Sequence, residues 1–100
     1  MKISSNFNRL YWGAIVSEVL AENEFLQWQG IIFKIKNFTK KNLHDLFKIV
    51  TFRGEVSLKD MSSKEVVQYL EEVRLFLSEN SITLSIDDDE WQRLILSCRE

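Results

Sequence analysis

The chain holds a single histidine, His44, and a single cysteine, Cys98. A structural zinc site takes four nitrogen or sulfur ligands, and neither C-x-x-C nor H-E-x-x-H spacing occurs. A lone cysteine also excludes an intramolecular disulfide and fits a reducing, cytoplasmic setting. His44 stands beside Asp45 in a serine-rich chain, the residue types of a nucleophilic triad. Adjacent residues on a helix point in different directions, however, so the pair is poorly placed to act together. Glu71 and Glu72 fail as paired carboxylates for the same reason. Gly13, Gly30 and Gly54 lie too far apart to cradle a phosphate. The run Asp87-Asp88-Asp89-Glu90 lacks the glycine and spaced ligands of a calcium loop and reads as a helix start. The expectation is a protein without catalytic residues, metal or cofactor.

Basic and aromatic residues offer the remaining chemistry. Residues 31–59 carry Lys34, Lys36, Lys40, Lys41, Lys48, Arg53 and Lys59 against Asp45 and Glu55, a local balance of +5. The whole chain is −2, so the rest carries −7. A basic middle can hold a polyanion while the molecule stays soluble. Phe33, Phe38, Phe47 and Phe52 lie among these charges, with Trp28 just before them. Lysines that neutralise phosphates and rings that stack on bases together hold single-stranded nucleic acid. The candidate site is therefore Lys34, Lys36, Lys40, Lys41, Lys48 and Arg53 for phosphate, with Trp28 and Phe33 for stacking. Against it stands a plainer reading, in which the lysines solvate exposed faces and the phenylalanines, Phe47 above all, are core.

These residues must be positioned by a mainly helical frame. The best-specified element starts at Ser62, whose pairing with Glu65 has capping-box spacing, with Met61 and Val66 as a hydrophobic staple. Behind it Val66, Val67, Leu70, Val73, Phe76 and Leu77 form an apolar stripe, predicting a helix over 63–79. Phe7, Leu10, Tyr11, Ala14, Ile15 and Val19 predict another over 6–23, capped by Ser5 or Asn6. Thr39, with Phe38 and Leu43 as staple, starts a helix over 40–52 that Gly54 suits as C-cap. Asp87 and Glu90, with Trp91, Leu94, Ile95 and Cys98 on one side, predict a last helix over 88–98. From Trp28 to Lys36 the pattern turns strand-like, with Gly30 as a turn or bulge. Residues 81–86, SITLSI, alternate as well and could pair with 31–36.

One hundred residues suit one domain, and no linker or repeat divides 1–100. The absence of proline favours helices over a many-turned sandwich. No stretch approaches the ~20 apolar residues of a bilayer span, and no signal-peptide pattern precedes the first helix. The expected fold is mainly α, a compact single-domain bundle of about four helices with at most a small two-stranded sheet.

Three separated segments together resemble the phage recombination proteins of the NinB type. Asn8-Arg9-Leu10-Tyr11-Trp12-Gly13 is similar to that family's Asn, paired aromatic and Gly. Lys41-Asn42-Leu43-His44-Asp45-Leu46-Phe47-Lys48 resembles its short helix with a Leu or Met followed by His. Met61-Ser62-Ser63-Lys64-Glu65, followed by Tyr69-Leu70-Glu71-Glu72-Val73-Arg74, resembles its capped helix. The likeness covers residues 6–86. The family's N-terminal β-rich part has no counterpart in these residues, and 25–38 look like an insertion. The resemblance implies a non-enzymatic, cytoplasmic accessory factor in phage recombination that binds single-stranded DNA as a homodimer, with another DNA-processing protein as a further partner. The alternative class is a small protein–protein adaptor or inhibitor that touches no nucleic acid.

Overall fold

Residues 3–98 are described by a computed structural model, and within them four helices and one hairpin form a mainly α fold around a single core. The first helix, α1, covers residues 5–22. Ser4, rather than Ser5 or Asn6, caps it, its hydroxyl accepting from the Phe7 N–H at 3.0 Å. Its middle, Arg9–Val16, is π-helical between α-helical ends Ser5–Asn8 and Ser17–Glu22. The Ser17 N–H reaches back five residues to the Trp12 carbonyl, which also accepts from the Ser17 hydroxyl at 2.7 Å. A π turn is wider than an α turn, so the inward face widens too. Phe7, Leu10, Tyr11, Ile15, Val16 and Val19 are buried, and Ala14, expected on that face, is only half-buried.

A short connection leads to β1 (Phe25–Trp28) and β2 (Ile31–Lys34), antiparallel with Trp28 opposite Ile31. Gln29 and Gly30 both take positive φ (49° and 78°), the two-residue turn that matches strand twist. Gly30 is thus a turn, as expected, but the strand begins after it and its partner is residues 25–28. Residues 81–86 are not a strand. Ile82, Leu84 and Ile86 are half-buried while Ser81, Thr83 and Ser85 are exposed, so the alternation is real. The segment lies against the helices, with the Ser85 N–H donating to Glu18 and the Ile82 N–H to the Leu77 carbonyl. Alternation reports one buried side and does not require a sheet.

The second helix, α2 (Lys40–Val50), opens with a Thr39–Asn42 capping box, its two bonds 3.1 and 3.0 Å long. It ends differently from expectation. Phe52 takes the first left-handed position after the helix (φ 59°), where its N–H reaches Ile49 and the Arg53 N–H reaches Lys48; Gly54 is left-handed too (φ 57°), its N–H 3.3 Å from the same Lys48 carbonyl. That pattern closes the last carbonyls of a helix and normally uses glycine, because a side chain there crowds the backbone.

A 3₁₀ turn at Leu58–Asp60 leads into α3 (Ser63–Glu79), whose Ser62–Glu65 capping box is formed. Met61 and Val66 are both buried, as the staple requires, and so are Leu70, Val73, Phe76 and Leu77. Tyr69 joins them in the core, while Val67 stays half-buried. The last helix, α4 (Asp88–Leu96), is capped by Asp87, which accepts from the Glu90 N–H at 2.7 Å. It packs through Trp91, Leu94 and Ile95, with Cys98 buried just beyond. Arg74 ties α3 to α4, lying 4.6 Å from the Trp91 ring centroid and 3.6 Å from Asp88. None of these helices is long and apolar enough to cross a membrane.

Candidate functional site

The basic residues divide into two sets. Lys34 at the end of β2, Lys36 in the linker, and Lys40 and Lys41 in the first turn of α2 are exposed. No acidic side chain among the described residues pairs with any of them. The first turn of α2 contains no acidic residue either. Two cations at the positive end of a helix dipole oppose it, at a cost of about 0.3–1 kcal/mol each.

Lys48 and Arg53 do not belong to that surface. Lys48 is 8% exposed, on the inward side of α2. Arg53 is bonded to the Glu72 carboxylate and to the Thr51 carbonyl (2.9 Å), and its guanidinium lies 5.7 Å from the Tyr69 ring centroid. Its charge is spent inside the protein. Phe33 is half-buried against the core opposite Leu26, and Trp28 is half-buried with its ring edge-on to Phe52 at 5.9 Å. The aromatic rings among the described residues that do face solvent most are Phe52, 79% exposed, and Phe25, 54% exposed.

Beneath Lys40 and Lys41 lies a cluster that residue spacing did not pick out. The Tyr11 hydroxyl of α1 is 2.5 Å from His44 Nδ1 of α2 and 2.6 Å from the Tyr69 hydroxyl of α3. Tyr69 is also 3.5 Å from the same nitrogen. Burial raises the pKa of Tyr11 well above the ordinary phenol value, helped by Tyr69 and Asp45. Burial likewise raises that of Tyr69. Both therefore remain hydroxyls. His44 is pushed down to about 4, first by burial and then by the Lys48 charge, with Asp45 opposing. It is a neutral imidazole at pH 7.

Neutral His44 has one ring proton, and the phenols decide where it sits. If Nδ1 carried it, His44 would donate to Tyr11, Tyr11 to Tyr69, and the buried Tyr69 proton would have no acceptor. With Nδ1 bare, Tyr69 donates to Tyr11 and Tyr11 to His44, and every hydroxyl proton is used. An unmade buried bond costs about 1–3 kcal/mol, which favours the second arrangement. The imidazole proton accordingly sits on Nε2. His44 is thus coupled to Tyr11 and Tyr69 and not to its chain neighbour Asp45.

The outer side of His44 lines a cavity of about 190 Å³ with Trp12, Phe7, Asn8, Leu58 and Lys59. The Trp12 and His44 ring centroids are 4.9 Å apart. The available signal for this site was that Tyr11 and Tyr69 carry polar tips on otherwise apolar stripes, and buried tyrosine hydroxyls seek partners. At the other end of the chain, burial raises the Cys98 thiol to about 11, so it is not a nucleophile at pH 7. This chain matches no family model, and neither a search of curated proteins nor one of solved structures gives a match.

Proposed function

We propose that the protein is a small, cytoplasmic, non-enzymatic accessory factor of the phage recombination kind, and that it holds single-stranded DNA at the corner formed by β2, the linker and the first turn of α2. The observation carrying this reading is the set Lys34, Lys36, Lys40 and Lys41, exposed and without an ion-pair partner among the described residues, with Lys40 and Lys41 where the α2 dipole adds to their charge. Phe52, exposed at the other end of α2, supplies a ring on which a base can stack. The segments on which the resemblance to NinB-type proteins rests also meet in space. The three are far apart in the chain, yet each contributes one member of the Tyr11–His44–Tyr69 cluster.

A second reading also has its own observation. Ile31, Ile32, Phe52, Leu75 and Phe25 are each more than half exposed, with Phe25 beside Ile32 and Phe52 beside Leu75, and such exposed apolar side chains suit a protein partner. A two-fold homodimer or a separate DNA-processing protein would cover some of them, as would the partner of an adaptor without nucleic acid.

A titration with single-stranded DNA at several salt concentrations separates the readings. Four engaged lysines give a log–log slope of about −3, from roughly −0.7 per phosphate. Replacing Lys40 and Lys41 by Ala should weaken binding for every sequence and flatten the slope by about 1.4. A double variant that binds as tightly as the parent at low salt would leave the lysines as a solvated face and the adaptor as the better description.

A further inference from the structure

The cavity beside His44 is built for more than packing. His44 lines it together with the polar side chains of Asn8, Ser57 and Lys59, and the Tyr69–Tyr11–Nδ1 chain behind His44 leaves Nε2 as the ring's donor. Among the described residues nothing accepts from Nε2, and it is not a buried orphan. It therefore opens outward. One wall is the half-buried indole of Trp12, and Phe7 and Leu58 are apolar. A flat aromatic wall beside a fixed donor recognises a planar ring bearing a carbonyl oxygen: the ring stacks and the oxygen accepts. At about 190 Å³ the cavity is a one-ring recess, below the ~300 Å³ at which drug-sized sites begin.

Lys40 and Lys41 precede His44 by four and three residues, so on α2 they are its neighbours, about 5–6 Å away between Cβ atoms. A chain whose phosphates rest on those lysines is within one helical turn of His44. We propose that the Trp12–His44 cavity receives a single carbonyl-bearing planar ring, stacked on Trp12 and bonded to His44 Nε2–H, and that its source is one unpaired base of the strand held by Lys40 and Lys41. The alternative source of the same chemistry is a free nucleoside-sized ring. This inference rests on the nucleic-acid reading for its source but not for its recess.

The test uses the unmodified protein, with ring nitrogens and indole N–H groups assigned by NMR. In the free protein His44 should show a bare Nδ1 and a protonated Nε2, and the reverse tautomer would overturn the proposal. Oligo-dT should then shift the Trp12 indole and His44 Nε2 resonances together. In the same series Trp12→Leu should lower affinity about 5- to 150-fold with the salt slope unchanged, the loss of one stacked base. Free thymidine shifting the same two resonances saturably, without oligo-dT doing so, would keep the recess and reassign its source. Oligo-dT binding with the expected salt slope but leaving Trp12 and His44 unmoved would sink this inference and spare the proposed function. If neither probe moves those resonances and no strand binds, both fall.

Discussion

Tyr11→Phe and Tyr69→Phe remove one oxygen each from the same buried cluster, yet the structure assigns them unequal costs. The Tyr11 hydroxyl sits at the middle of the relay, 2.5 Å from His44 Nδ1 and 2.6 Å from the Tyr69 hydroxyl. Its loss strands two groups, a donor on Tyr69 and an acceptor on His44. Tyr69 is already 3.5 Å from Nδ1 and can close part of that gap. With an unsatisfied buried group costing about 1–3 kcal/mol, the expected loss for Tyr11→Phe is about 2–3 kcal/mol. Tyr69→Phe removes only a terminal donor, and Tyr11 still donates to His44, so the expected loss is about 1 kcal/mol. The double variant should cost less than the two together, with a coupling of about 1 kcal/mol. Urea unfolding of the four proteins at pH 7 measures all three terms. The reasoning fails if Tyr69→Phe is as damaging as Tyr11→Phe, because a reversed relay would make Tyr11 the donor to Tyr69 and leave it stranded.

Acid should also act through His44. The folded protein keeps it neutral down to about pH 4, while the unfolded chain takes up a proton near 6.5. Stability is therefore full above about pH 6.5 and falls as the pH drops toward 4. Its advantage over His44→Gln should shrink by on the order of 2 kcal/mol between pH 7 and 4.5, allowing for solvent screening of this half-exposed ring; a constant difference would remove the argument. Leu70→Ala deletes a fully buried side chain and should cost about 2–5 kcal/mol in denaturant melts, a loss under ~1 kcal/mol meaning that α3 does not face the core. Phe52→Gly relieves a left-handed backbone while losing one edge contact with Trp28, so thermal unfolding should show stability within about 1 kcal/mol of the parent. A larger loss would mean that the Phe52 ring holds the fold.

Much of the frame was legible from local chemistry. A capping box or a staple involves residues three to five apart, so Thr39, Ser62 and Asp87 mark their helix starts wherever the helices later pack. The stripe Val66, Leu70, Val73, Leu77 is local in the same sense, and its burial followed. What the chain did not reveal by itself depends on partners distant in sequence. SITLSI alternates whether it meets a strand or a helix surface, and only the packing of Glu18 and Leu77 against it decided for the latter. The π turn of α1 needs a hydrogen-bond register that residue pattern does not encode. Charge count offered six cations for phosphate, but Arg53 is taken by Glu72, nineteen residues on, and Lys48 by burial. His44 gains its role from Tyr11 and Tyr69, which are 33 and 25 residues away. Local sequence set the elements because their start and face signals span one turn. Tertiary structure chose the site because a hydrogen bond between side chains depends on distance in space, which spacing along the chain does not measure.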